Sequence, residues 1–247
     1  MPRRISVVVC AYNEEHYLPG CLRALLAQTR PPDEIVVVNN ASTDGTRAVA
    51  EAVTGVRAVD QPRKGLVLAR EAGRHATTGE LIAYVDADSR PPSGWLERVE
   101  RRFDRRADLV GISGPYRFYD WDLPSRMLVR AYDWTLAPVT HLLAQHVFHV
   151  GAVFYGGGFC VRRDALDAIG GFDTTIEFHG EDTNLGRRLT AVGHVSLSNA
   201  CWVYTSARRY KAMGRLAVFR LYIRNFWWET WHHRPKDTRH VDVRLQN

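Results

Sequence analysis

Four short runs rich in β-branched residues alternate with three helical patterns over the first 85 residues, and few folds accept that order. Ile5 to Cys10 reads as a buried strand, and Tyr17 to Gln28 repeats Leu18, Leu22, Leu25 and Leu26 at helical spacing. Glu34 to Val38 is a second strand, followed by a helix that Ser42 or Asp44 can cap. Val56 to Val59, a helix over Leu66 to His75, and Glu80 to Val85 complete a βαβαβαβ order. Such an order specifies an α/β fold, a mostly parallel central sheet flanked by helices, with ligands at the carboxyl ends of the strands.

Those carboxyl ends carry polar clusters instead of plain turns. Tyr12-Asn13-Glu14 follows the first strand, Asn39-Asn40 the second and Asp86-Ala87-Asp88 the fourth. In a parallel sheet the three converge on one edge. Beyond about residue 112 the alternation fades: Trp121 to Val150 is apolar and helical in character, Val153 to Arg163 returns to strand, and about Asp182 to Val192 is helical. The division expected is a ligand-binding half over 1–112, a second half of the same domain over 113–208, and a helical tail over 209–247.

A chain of 247 residues with 45% hydrophobic content buries a full core, and its formal charge of +6 favours anionic partners. No recognised nucleic-acid module accompanies the charge, so nucleic acid is not expected as a partner. The cysteines Cys10, Cys21, Cys160 and Cys201 lie far apart without a CxxC pair, which predicts reduced, inert thiols. The apolar stretch near the N-terminus is too short for a signal peptide, and no run approaches the roughly 18 to 20 residues of a spanning helix. The chain is therefore expected in the cytoplasm or peripherally on the inner face of the membrane.

Three segments can carry chemistry. Asp86 and Asp88, two carboxylates at i and i+2 projected from a strand end, can hold a hard divalent cation such as Mg²⁺ or Mn²⁺ bridging to diphosphate oxygens. Read structurally, the same tripeptide is a turn in which Asp86 caps amides. Glu181-Asp182 opens a helix, where the dipole alone favours one acid; a carboxylate there can also take the proton of an attacking hydroxyl. Asn39 to Thr46 is a turn and helix cap that can also meet a base and ribose through amide and carboxylate groups.

The segments VVVCAYNEE, VVVNNASTDGT, RKG, YVDADS, GGGFCVRRDALDAIGGFD and GEDTNLGRRL are similar, in order and spacing, to family 2 glycosyltransferases, over roughly residues 4 to 208. The resemblance implies a GT-A type nucleotide-binding fold, a nucleotide-sugar donor, a divalent metal at the Asp-x-Asp segment, and inversion at the anomeric carbon. It implies that Ala11, Tyr12, Asn13 and Glu14 line the nucleoside pocket, with Asn39 or Asn40 and Asp44 at base and ribose. Lys64 and Arg70 would lie toward the nucleotide, Asp86 at ribose or metal with Ala87 between, and Asp88 at the metal. Asp182 would be the general base, with Glu181 beside it. The chain departs from the pattern at Asn39-Asn40, where many relatives carry acids, and at Trp202 to Ser206, which lacks the histidine some relatives give to the metal.

His141, His146 and His149 do not share one helical face, so they predict no metal site. Gly156 to Gly158 suits close backbone approach. In the tail, Leu216, Phe219, Ile223, Phe226 and Trp227 recur at helical spacing with Arg215, Arg220 and Arg224 interleaved, an amphipathic helix suited to an anionic membrane surface across residues 211–232, or to the core or a second subunit. A glycan or lipid-linked acceptor is expected on that basis. Two other functions are compatible with the fold class, a nucleotidyltransferase-like enzyme and a non-catalytic nucleotide-binding adaptor at the membrane. The first lacks its glycine-rich loop after the first strand, and the second needs neither acidic pair.

Overall fold

A computed structural model describes residues 3–147, 151–232 and 236. The early elements fall where the periodicity puts them: β1 (Ile5–Ala11), α1 (Leu18–Leu26), β2 (Glu34–Asn39), α2 (Thr46–Glu51), β3 (Val56–Asp60), α3 (Leu66–Ala76) and β4 (Leu81–Asp86). After them come α4 (Trp95–Arg105), β5 (Leu109–Ser113), β6 (Tyr116–Phe118), α5 (Leu123–Trp134) and α6 (Leu136–Leu142), the last running into a π-helical turn over Leu143–Val147. The chain continues through β7 (Gly158–Arg162), α7 (Arg163–Ala168), α8 (Glu181–Thr190), β8 (His194–Leu197), β9 (Val203–Thr205), α9 (Arg208–Met213) and α10 (Arg215–His232).

Seven strands form one sheet in the order β3-β2-β1-β4-β7-β5-β8, and β6 pairs with β9 in a small second sheet. All pairings are parallel except those of β7, which runs antiparallel to both β4 and β5. The central strands are continuously apolar because both faces are covered. Along β1, Val7 and Val9 join the core under α1 and α4, while Val8 joins the opposite core with α3 and α8 residues such as Val67 and Leu185. From β1 the chain winds outward to β2 and β3, then returns to place β4 on the other side of β1. The crevice between the carboxyl ends of β1 and β4 is therefore the topological switch point.

The strand expected over Val153 to Arg163 is shorter than the sequence suggests. The segment before Gly158 turns its backbone groups to side chains: Tyr155 N donates to Ser113 Oγ, Gly156 O accepts from Arg70, and Gly157 N donates to the Tyr116 hydroxyl. Of His141, His146 and His149, His149 and the His146 side chain lie outside the described residues.

Candidate functional site

Register places the polar clusters side by side. Cys10 of β1 pairs with Asp86 of β4, Ala11 with Asn39 of β2, and Asn39 with Asp60 of β3. Residues 12–14, 39–44 and 86–88 thus form one rim. Within it the individual residues have distinct roles. The methyls of Ala11 and Ala87 are buried in the core, so only their backbone faces the rim. Asn13, at φ +52°, accepts from Thr43 N through Oδ1 at 2.8 Å, and its backbone N–H donates to Ser42 Oγ at 3.1 Å. Asp44 accepts from Thr46 N at 3.0 Å and Glu15 N at 3.2 Å, which is the helix-entry role its sequence position allows.

Asn40 braces the loop leading to α3: Nδ2 donates to Gln61 O at 3.1 Å and Arg63 O at 2.7 Å, and Oδ1 accepts from Gly65 N at 2.8 Å. Asn39 differs. Its Nδ2 donates to Asp60 at 2.9 Å, which fixes the amide orientation, and its buried Oδ1 has no hydrogen-bond partner among the described residues. Lys64 Nζ lies 3.9 Å over the Tyr12 ring, a cation on the pocket wall.

Arg70 joins the rim to the second acidic pair. Only 2% exposed on α3, it donates to Glu181 Oε1 at 3.1 Å and to Gly156 O at 2.7 Å, and its Nη2 lies 3.9 Å from Asp86 Oδ1. Gly156 and Gly157 make this closeness possible. A Cβ on Gly156 would stand 3.1 Å from Glu181 Oε1 and 3.4 Å from the Asp182 Cβ; one on Gly157 would stand 2.8 Å from Asp86 Oδ2. Side chains there would force the carboxylates apart. Asp86 and Asp182, 96 positions apart by number (182 − 86), therefore face one cleft across a glycine pair.

Crowded carboxylates in a partly dry cleft resist ionisation. Burial, then the charge of Asp182, pushes Glu181 up to about 7 against the pull of Arg70. Burial also pushes Asp86 up to about 7, with Arg70 opposing and Asp88 and Glu181 adding to the rise; its side chain stays 40% exposed, so solvent moderates the effect. Asp182 is raised as well, chiefly by burial, while the Thr183 amide donating at 2.7 Å favours its charged form. Tyr116, whose hydroxyl accepts from Gly157 N at 2.6 Å, closes the floor between Asp86 and Asp182.

The rim's other end holds a cation that sequence reasoning missed. Arg208, opening α9, lies with Nη2 3.0 Å from Asp88 Oδ2 and also grips both oxygens of the buried Glu14, at 2.9 and 2.5 Å. Arg209 beside it sits 4.5 Å over the Phe178 ring, and its charge acts on both Asp86 and Glu181. The adjacent arginines in Ser206-Ala207-Arg208-Arg209 were the available signal, but they fall at the expected boundary of the tail. Asp86 and Asp88 supply two hard oxygen donors, and a positively charged group already rests on Asp88, so the donor set fits a cation; among the described residues no third His, Cys, Asp or Glu completes a protein-only cage.

The tail helix packs in an unexpected sense. Its buried stripe contains Asn225 and Glu229, and Glu229 accepts from Asn184 and from Arg187 of α8, each at 3.1 Å. Leu216, Phe219, Ile223, Trp227 and Trp231 are exposed. No described helix is long and apolar enough to cross a membrane.

The chain is 26% identical over 198 residues to glycosyltransferase AglE of Haloferax volcanii, covering 77% of this chain and 62% of the relative. It is 24% identical over 185 residues to the glucosyl-dolichyl phosphate glucuronosyltransferase of the same organism, covering 72% and 58%. The chain thus spans about three fifths of the length of these curated relatives. Among solved structures, the mannosyltransferase PcManGT of Pyrobaculum calidifontis, in complex with GDP-Man and Mn²⁺, shares the fold at a TM-score of 0.70 and 20% identity, over 94% of this chain and 64% of that one. S. aureus TarS 1-349 in complex with UDP-GlcNAc superposes at 0.59 with 21% identity, over 82% and 58%. These neighbours share the GT-A architecture, and the model of glycosyl transferase family 2 matches residues 6–170, so the chain belongs to that family.

Proposed function

We propose that the chain transfers a sugar from a nucleoside diphosphate donor to an acceptor hydroxyl with inversion at the anomeric carbon. The observation that carries this reading is the cleft in which Arg70 joins Asp86 to Glu181 across Gly156, with Asp182 on the same wall. In the step proposed, the acceptor oxygen bonds to the anomeric carbon as the bond to the diphosphate oxygen breaks. The electron pair leaves on the diphosphate, and the acceptor proton passes to the Asp182 carboxylate. A divalent cation held by Asp86 and Asp88 would neutralise charge on the leaving diphosphate. Glu181 and Arg70 orient the cleft, and Arg209 adds positive charge nearby. PcManGT, whose structure contains GDP-Man and Mn²⁺, supports the donor class and the metal.

Asn39 Oδ1, buried and fixed as an acceptor, suits the N3–H of uracil or the N1–H of guanine. A thermal-shift panel of nucleoside diphosphates with and without Mn²⁺ tests the donor pocket, because ligands of the native state raise its stability by mass action. UDP or GDP with Mn²⁺ is expected to raise the melting temperature, and no shift with any nucleotide would remove the proposal. Asp88→Asn is expected to abolish the part of the shift that Mn²⁺ adds; an unchanged Mn²⁺ response would take Asp88 out of the ligand set.

The polarity of α10 favours an acceptor at a lipid surface. A helix that buries Asn225 and Glu229 while exposing aromatic residues is built for an apolar exterior, and Arg220 and Arg224 lie exposed beside them. Leu123, Met127, Leu128 and Trp134 on α5 and Leu136 on α6 are exposed too, and Arg215 ties the start of α10 to Ser125 of α5 at 2.6 Å. The protein is expected to sediment with liposomes containing anionic lipid, and Trp227→Ser with Trp231→Ser is expected to leave most of it in the supernatant. Equal pelleting of both would end the membrane reading.

A further inference from the structure

Glu14 and Asp88 stand on separate rim loops and share one guanidinium. Arg208 Nη1 donates to Glu14 Oε2 at 2.9 Å, while Nη2 divides itself between Glu14 Oε1 at 2.5 Å and Asp88 Oδ2 at 3.0 Å. The group also stacks 4.7 Å from the Tyr17 ring. Glu14 is 2% exposed and Asp88 11%, so neither carboxylate can be left without a counter-charge cheaply.

The backbone beneath Arg208 is held independently of that pairing. Asp120 accepts from Ala207 N at 2.6 Å and Ser206 Oγ at 2.8 Å, and pairs with Lys211 at 3.1 Å. The guanidinium can therefore turn away from Asp88 by side-chain rotation, keeping its Nη1 bond to Glu14, without unseating α9. A divalent cation arriving at Asp88 meets the repulsion of Nη2, which lies 3.0 Å from Oδ2, so the arginine in this position opposes its binding.

We infer that Arg208 is an internal counter-cation for Asp88, exchanged for the divalent ion when the donor site loads. The inference rests on the metal-assisted reading above and assigns Arg208 a further part in it. Before loading, the arginine gives both inward carboxylates one shared counter-charge and holds the 12–14 and 86–88 loops together. On loading, Asp88 would pass from Arg208 to the divalent ion, while Arg208 would keep its Nη1 bond to Glu14. The arginine thus sets the threshold for metal entry.

Mn²⁺ titration of the full chain without nucleotide, followed by loss of the free-ion paramagnetic resonance signal, tests this exchange. Arg208→Gln is expected to bind Mn²⁺ about ten-fold more tightly than the unaltered protein. The double change Glu14→Gln with Arg208→Gln removes the buried pair together, leaves no unpaired Glu14 charge, and is expected to show the same gain even if the single variant folds poorly. Asp88→Asn is expected to weaken Mn²⁺ binding in every background. If Asp88→Asn weakens binding but neither arginine variant tightens it, the exchange is overturned and the metal reading stands. If Asp88→Asn changes nothing, the metal reading falls and the exchange with it.

Discussion

Asp182→Asn is expected to lower turnover by about 10²- to 10⁴-fold while leaving donor binding nearly intact. The substitution is nearly isosteric and keeps an acceptor oxygen for the Thr183 amide, which Asp182 now receives at 2.7 Å, so the start of α8 should survive. What it removes is the capacity to take a proton. A base works only when deprotonated, and burial raises Asp182 above the usual aspartate range. Turnover of the unaltered protein should therefore climb with pH and level off above that raised value, whereas the residual turnover of the variant should lose this limb. Steady-state kinetics across pH, with donor affinity measured separately by calorimetry, checks both parts. Donor affinity falling as steeply as turnover would mean that Asp182 holds the pocket's shape and does not accept the proton.

Arg70→Met is expected to cost about 3 to 5 kcal/mol of stability, the range for removing one partner from a buried charge network. For a chain of this size each kcal/mol shifts the melting temperature by roughly 2 to 4 °C, so a fall of roughly 6 to 20 °C should be seen. The loss should depend on pH in a defined sense. Glu181, held above its ordinary value at about 7, carries a proton in the folded state over a range where the unfolded chain has already released it. The unfolded state thus binds fewer protons there, and stability falls as pH rises toward 7. Arg70 offsets that fall by compensating the ionised form, so the variant's deficit should be small near pH 5 and large near pH 8. Combining Arg70→Met with Glu181→Gln should restore part of the loss, because the orphaned charge goes too. Calorimetric melting at the two pH values decides; a deficit equal at both would show that Arg70 contributes packing and not charge compensation.

The sequence made the first half of the fold legible for a physical reason. β1 through β4 are buried on both faces, so their β-branched runs are nearly continuous, and helices such as α1 and α3 carry apolar stripes at 3.6-residue spacing. Both signals are local. The later strands offered less: β6 and β9 have 3 residues each and β8 has 4, too few to display a period. The expected strand from Val153 shrank to Gly158–Arg162 because residues before it satisfy their backbone with Arg70 and Tyr116.

Candidate residues divided in the same way. Asp86, Asp88, Glu181 and Asp182 stand out as acids at element ends, and the structure gathers their loops in one region. Asn40 and Asp44 look identical to ligand-binding residues in sequence, yet their polar atoms brace loops, since an amide or carboxylate in a turn serves either purpose with the same local pattern. For Arg208 the paired arginines were the one local sign, and they do not point to its partner Glu14, 194 positions away.

From the amino-acid order alone came the parallel β1–β4 scaffold, the polar edge at its carboxyl ends and the two acidic pairs, all written in short-range periodicity and element termini. Tertiary structure alone decided that β7 enters antiparallel beside β4, that Gly156 and Gly157 let Asp86 approach Glu181 and Asp182, and that Arg208 rests on Asp88. Those outcomes depend on which distant groups can approach without clash and which charges need a partner once water is excluded, and neither condition leaves a trace in the spacing of neighbouring residues.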